Sequence, residues 1–222
     1  LKVALNQNAW DGRWFKRAFA DNGDVYGSIE NEECKIDSIA QSWSIISEAG
    51  EESKQKQAIE SLESHLIDKE SGIIKLLDPP FEKSKLEPGY IKSYIPGVRE
   101  NGGQYTHATS WYIMALIKIG HSDLAYSYYQ MINPINRSTN EEDVNTYKVE
   151  PYVIAADIYS NEDFQARGGW TWYTGSAAWY YRVGMEEILG FKKKGNILEI
   201  KPNIPSHWNG FEIDYHYIDA IY

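Results

Sequence analysis

The stretch GGQYTHATSWYIMALIKI, Gly102–Ile119, decides how this chain is read. From Thr106 it contains neither Gly nor Pro and is apolar on nearly every side, the pattern of an inner helix enclosed by protein. It is broken by Lys118 and falls well short of the roughly 20 apolar residues that cross a bilayer, so it is read as a core helix and no membrane span is expected. Two glycines and a polar run bring the chain to its start.

Helical spacing continues on both sides. Upstream, Ile36, Ile39, Ala40, Trp43 and Ile46 share one face, with Gly50 as a C-cap candidate, and Ala58, Leu62 and Leu66 form a stripe on a second helix over about 51–68. The pair reads as an αα-hairpin. Downstream, a helix capped by Ser122 runs to near Pro134, a short apolar helix is expected over Val149–Tyr159, and another over Gly175–Leu189. Between the hairpin and the inner helix lies Ser71–Gly103, rich in Pro and Gly yet also in apolar and aromatic residues. A loop of that length in a compact domain is usually functional. The opening, Trp10–Ser28, reads as an extended segment or hairpin around Asp21-Asn22-Gly23-Asp24. After Gly190 the period becomes two, so Leu198–Pro202 and Phe211–Tyr217 are expected strands. The expected fold is mainly α, with antiparallel helix pairs followed by β-strands.

Bulk properties narrow the function classes. A net charge of −10 over 222 residues disfavours a nucleic-acid backbone as partner. The single cysteine, Cys34, cannot form an internal disulfide, which suits a reducing compartment, and no export signal opens the chain, so a cytoplasmic location is expected. Aromatic residues are weighted to Trp (8) and Tyr (17) over Phe (6), and their flat faces with polar edges suit sugar rings as well as a helical core.

Three segments concentrate polar chemistry. Pro96–His107 sets a cation, a carboxylate, two amides and an imidazole around flexible glycines at the mouth of the inner helix; it is either a ligand site or a self-bonded loop. Gly168–Ser176 offers two tryptophans and a Thr-Gly-Ser helix start, which is either an anion site or an ordinary N-cap. Ser28–Trp43 carries Glu30, Asn31, Glu32, Glu33, Asp37, Gln41 and Trp43, which either complement a helix dipole or line a sugar site. No His/Cys cluster suggests a metal, and no Gly-x-Ser-x-Gly elbow or Walker loop occurs.

On the blocks AWDGRWFKRAF (Ala9–Phe19), IENEECKIDSIAQSW (Ile29–Trp43), PGYIKSYIPGVRENGGQYTHATSW (Pro88–Trp111), VEPYVIAADIYS (Val149–Ser160) and GGWTWYTGSAAW (Gly168–Trp179), the sequence resembles glycoside hydrolase family 94, the cellobiose phosphorylase-like inverting phosphorylases. VEPYVIAADIYS is similar to the β-1,2-glucan branch, which comprises oligoglucan phosphorylases and the C-terminal part of cyclic glucan synthases. The resemblance implies that residues 1–190 are the C-terminal portion of an (α/α)6 barrel and that 191–222 begin a small β-domain. It implies phosphorolysis of a terminal β-glucosidic bond with inversion, giving α-glucose 1-phosphate. His107, Thr174 and Gly175 match the family's phosphate-binding positions, and Tyr94, Arg99, Glu100 and Gln104 match positions lining the sugar subsites.

An inverting hydrolase needs a general base to activate water, but phosphate is already an anionic nucleophile, so an anion site replaces the base and only a general acid remains. In the family that acid is an Asp upstream of the AWDG block. No matching motif occurs here, and Asp11, inside the block, is not assigned the role. The expectation is therefore a phosphorylase portion that is inactive alone. Its expected partners are a β-glucan oligosaccharide and inorganic phosphate as co-substrate, with no other cofactor and a homodimer of the parent. The rival expectations are a non-catalytic carbohydrate-binding tail of a glucan synthase and an ordinary hydrolase that releases free glucose.

Overall fold

The computed structural model describes all residues, 1–222. After a short helical start, α1 (Lys2–Ala4) and a π-type continuation Leu5–Ala9, the strands β1 (Ala18–Phe19) and β2 (Val25–Tyr26) pair across the expected turn. β3 (Ile36–Asp37) leads into α2 (Ser38–Ile46), and α3 (Glu52–Leu66) returns antiparallel to complete the expected hairpin. The long segment that follows is pinned by two-residue ladders: β4 (Ile67–Asp68) pairs with β5 (Ile73–Ile74), and β6 (Leu77–Asp78) pairs back with β3.

β7 (Gln104–Tyr105) then opens α4 (Thr106–Lys118), followed by α5 (Ser122–Met131), α6 (Glu141–Tyr147), β8 (Asp157–Ile158) and α7 (Thr174–Arg182), whose last turns widen into a π-type segment, Val183–Ile188. The chain finishes in two hairpins, β9 (Phe191–Lys194) with β10 (Ile197–Ile200), and β11 (His216–Tyr217) with β12 (Ala220–Ile221). The architecture is helix-rich with small antiparallel sheets.

α4 is the inner helix that its composition demands. It packs against α2, α5 and α7, and Tyr112, Ile113, Ala115 and Leu116 are fully buried among Ile45, Leu62, Leu66, Ala125 and Val183. Each such side chain contributes about 1.5–3 kcal/mol through burial, so packing holds α4 in place although its N-terminus lacks a side-chain cap. Glu63 joins this core from α3, accepting hydrogen bonds from the hydroxyls of Tyr112 and Tyr128. No helix is long and apolar enough to cross a membrane.

Four local expectations are corrected. Val149–Tyr159 is not a helix: its amides bond elsewhere, Ala156 N–H to Trp170 O (2.6 Å) and Tyr159 N–H to Arg167 O (2.8 Å), and Asp157–Ile158 pairs with β7. Tertiary pairing overrides the apolar spacing there. Ser122 is the first helical residue rather than the cap, which is His121 without a side-chain bond. Phe211–Asp214 has no strand partner: Tyr215 exchanges backbone hydrogen bonds with Tyr222, and the ladder proper is His216–Tyr217 with Ala220–Ile221. α6 was not anticipated, although Asn140 caps it and Glu141, Glu142 and Asp143 fill its first turn.

The acidic segment before α2 is scaffold. Glu33 accepts the N–H groups of Glu82, Lys83 and Ser84 at 2.9, 2.8 and 3.1 Å. Burial works against the charge, but these amides prevail and hold its carboxyl down to about 2. Gln41, fully buried, donates to Phe15 O and accepts from Phe15 N–H, both at 2.8 Å, tying the opening segment to α2. Asp37 caps α2 by accepting from Ile39 N–H (2.8 Å) and lies 3.4 Å from Arg17 Nε.

Candidate active site

Three helices present their N-termini to one side of the molecule. Those of α4 and α7 meet at a cavity of about 350 Å³, and that of α2 opens on an adjoining one of about 560 Å³. Glu100 and Tyr105 line both and so form the wall between them.

The smaller cavity is built from loops whose course is fixed by buried polar contacts. Asn101, fully buried, donates to Phe81 O and Tyr94 O (both 2.8 Å) and accepts from Phe81 N–H (2.7 Å), which fixes the turn carrying Arg99 and Glu100. Gly97 lies at φ +84°, and a Cβ there would press on the Asn161 backbone, so close approach of residues 160–161 requires glycine. His107 projects from the first turn of α4, with its ring against Trp111 (4.7 Å), Trp179 (5.7 Å) and Tyr105 (6.1 Å, stacked).

One side of the cavity favours anions. α7 begins at Thr174 with no side-chain cap, so the amides of its first turn and the positive end of its dipole are unclaimed. Gly175 brings that backbone against the imidazole: a Cβ on it would lie 3.5 Å from His107 Cε1. Burial lowers the His107 pKa, which favours the neutral imidazole with one ring N–H to donate. Away from His107 and α7, Arg99 supplies the only guanidinium or ammonium group lining the cavity, with its guanidinium carbon over the Trp170 ring, 3.1 Å from the centroid.

The opposite side is a hydrogen-bond acceptor. Glu100 faces the phenols of Tyr90 and Tyr105, whose pKa values are raised first by burial and then by this carboxylate. A neutral imidazole, helix amides and a guanidinium facing a carboxylate and aromatic rings can hold a polyhydroxylated ligand and an oxyanion together.

Of the residues expected from the sequence, Tyr94, Arg99, Glu100, His107 and Gly175 all line this cavity. Thr174 stands beside it, exposed, as the first residue of α7. Gln104 does not reach it: it is fully buried behind the wall, accepting from Ile74 N–H at 3.1 Å. Tyr105, Ala156, Asp157, Trp170, Tyr173 and Ser176 complete the lining; of these, Trp170 and Ser176 belong to the features noted in Gly168–Ser176 and the others were not assigned a role from the sequence. All six lie within the quoted segments, Ala156 and Asp157 in Val149–Ser160. Asp157 gave no signal because it reaches the cavity only through the β7–β8 pairing.

The cavity thus joins a half-buried imidazole and the uncapped start of α7 to an aromatic and acidic wall. The chain belongs to the glycosyl hydrolase 94 superfamily, whose catalytic domain matches residues 1–190. It is 48% identical over 214 residues to the cyclic beta-(1,2)-glucan synthase NdvB of Rhizobium meliloti, a match covering 96% of this chain and 8% of that protein. It is 27% identical over 225 residues to the N,N'-diacetylchitobiose phosphorylase of Vibrio proteolyticus, covering all of this chain and 28% of the relative. Against the 1,2-beta-oligoglucan phosphorylase of Listeria innocua the identity is 25% over 186 residues, 76% of this chain and 17% of the relative. The chain thus spans well under a third of the length of these relatives.

Proposed function

We propose that this chain forms the phosphate-holding part of an inverting glycoside phosphorylase acting on β-glucans. Residues 1–190 contribute the C-terminal portion of an (α/α)6 barrel and residues 191–222 the beginning of a β-domain. The observation that carries the reading is the convergence of His107 and the uncapped start of α7 at Gly175 on one cavity with Arg99 and Glu100.

In the proposed reaction inorganic phosphate, the co-substrate, lies between His107 and the Thr174-Gly175 amides. One of its oxygens attacks C1 of the terminal glucosyl unit from the face opposite the departing oxygen. The C1–O bond to the glucan breaks, its oxygen takes a proton from a general acid, and α-glucose 1-phosphate forms. Tyr94, Arg99 and Glu100 hold the sugar, with Gln104 supporting their wall from behind. The acid is an Asp of the parent protein outside this chain, so these residues alone bind but do not turn over. No cofactor beyond phosphate is required, and the parent works as a homodimer.

The test is His107→Ala in the full-length protein, with release of glucose 1-phosphate from β-1,2-glucans followed against phosphate concentration. A large loss of phosphate-dependent release is expected, and undiminished phosphorolysis refutes the anion site. Release of free glucose independent of phosphate would show a hydrolase instead. A second reading, the carbohydrate-binding tail of a glucan synthase, is favoured by the higher identity to the cyclic beta-(1,2)-glucan synthase than to the two phosphorylases. Glucan binding with no phosphate-dependent turnover in the parent would support it.

A further inference from the structure

Asp157 is a buried carboxylate that the proposed chemistry does not use. It is 1% exposed, lies in β8 directly opposite Tyr105, and reaches the cavity wall. Its two oxygens are divided between two loops: Oδ1 accepts the Trp170 N–H at 3.0 Å and Oδ2 accepts the Arg99 N–H at 3.2 Å. Gly169 N–H also bonds to the Asp157 main-chain oxygen at 2.8 Å, and a Cβ on Gly169 would collide with the carboxylate. Glycine is therefore what lets the second loop lie flush on Asp157.

The two residues whose amides it holds are those whose side chains stack. Arg99 sits at φ +50°, a left-handed conformation unfavourable for a residue with a Cβ, and its guanidinium covers the Trp170 ring. Arg99 forms no ion pair in the structure, so the stack and the backbone clamp are what aim it. Burial raises the Asp157 pKa, while the two amides and the nearby Arg99 guanidinium favour its charged form. Each loop is anchored elsewhere, the first through Asn101 and the second through the Ala156–Trp170 backbone bond, so the clamp sets the relation between the loops rather than their existence.

We propose that Asp157 is a positioning residue for the sugar side of the cavity, acting through Arg99 and Trp170 and leaving the phosphate side, His107 and α7, untouched. This rests on the function proposed above. It predicts a separation: loss of the clamp weakens glucan binding but not phosphate binding.

The experiment is a double-mutant cycle in the full-length protein with Asp157→Asn, Arg99→Met and the pair. An asparagine carboxamide presents one acceptor and one donor, so it satisfies one of the two amides and opposes the other. Loss of a hydrogen bond to a charged acceptor predicts that Asp157→Asn raises the glucan KM about tenfold or more. The phosphate KM should stay within about twofold, and the Asp157→Asn effect should largely vanish in the Arg99→Met background.

Parallel loss of glucan and phosphate KM, no change in either, or an equal effect with and without Arg99 would each overturn the proposal. If Asp157→Asn does not fold, Asp157→Ser, which leaves room for a bridging water, takes its place; failure of both to fold makes Asp157 a folding element and also overturns it. If the wild type shows no phosphorolysis, the functional reading has failed on its own. The same cycle is then read by calorimetry with a β-1,2-linked glucooligosaccharide and with inorganic phosphate, and absence of glucan binding to the wild type overturns both.

Discussion

Replacing Gly175 with Ala separates the proposed anion site from stability. Gly175 is the second residue of α7 and has no backbone conformation that requires glycine, so Ala is compatible with the local geometry. The new Cβ would lie 3.5 Å from His107 Cε1 and 3.6 Å from Nδ1, ordinary van der Waals contact that displaces nothing. Gly→Ala inside a helix contributes up to about 1 kcal/mol of stability, and less in a first turn. The thermal midpoint should therefore hold or rise slightly. Binding should move the other way, because the methyl group fills the gap in which an oxygen would accept from both the imidazole and the helix amides. A hydrogen bond to a charged group contributes about 1.5–3 kcal/mol, and 1.4 kcal/mol is a factor of ten. The phosphate KM of the full-length protein should rise about tenfold to a hundredfold, with the glucan KM little changed. The assay is initial-rate phosphorolysis at varied phosphate alongside differential scanning fluorimetry. A phosphate KM within twofold of wild type in a folded variant would refute the placement of phosphate between His107 and α7.

Two further outcomes follow from the scaffold. Glu33→Gln keeps one acceptor but loses the charge that three amides hold, which should destabilise by about 1 kcal/mol at neutral pH once screening of a partly exposed group is allowed for. Because the folded carboxyl lies near 2 against an ordinary 4.5, this stabilisation is complete above about 4.5 and is lost as pH falls toward 2. The gap between wild-type and variant midpoints should close over that window; a gap independent of pH would refute the charge assignment. Gly190→Ala places a Cβ at φ +69° against the Lys201 carbonyl, where the Lys201 N–H bonds back to Gly190 O at 3.0 Å. The strain of a left-handed alanine, about 1–2 kcal/mol, adds to that collision. Limited proteolysis within 191–222 should accelerate while amide exchange in α4 stays slow, and an unchanged cleavage rate would count against this junction.

Helices α2, α3 and α4 were legible because each carries its own evidence, apolar stripes on α2 and α3 and all-round apolarity on α4; their ends were less so, since α2 stops at Ser47 rather than at Gly50. The cavity was legible where its residues run together in the chain, as Tyr94, Arg99 and Glu100 do just before α4, His107 in its first turn and Gly175 at the start of α7. Segment 149–160 was not, because its conformation is set by partners about 50 to 65 residues away. Tyr105 pairs with Asp157, Gly97 O accepts from Ser160 N–H, and Pro96 O accepts from the Asn161 amide at 2.8 Å. Local spacing there favoured a helix that those bonds exclude. In the polar cluster 28–43, where Asp37 lines the larger cavity, the ambiguity had a different cause. Glu33, Asp37 and Gln41 have the donors and acceptors that a sugar site would use, and only the structure shows them occupied by backbone.

The charge around the cavity bears on how such a site would release its product. The chain carries a net charge of −10, and the lining holds one cation, Arg99, against two carboxylates, Glu100 and Asp157. The residues of this chain alone therefore give the cavity no net positive charge. What remains is directional: an imidazole kept neutral by burial and helix amides aimed from a fixed backbone. Directional donors reward an oxyanion in one position and gain little from its total charge, whereas a lysine cluster would bind any phosphate ester and retain it. On the proposed function the same donors must grip phosphate as it attacks and let glucose 1-phosphate leave, or run the reaction in reverse. On that reading, a cradle of neutral and partial charges suits both demands, and its selectivity comes from the placement of the imidazole and the α7 amides rather than from their number.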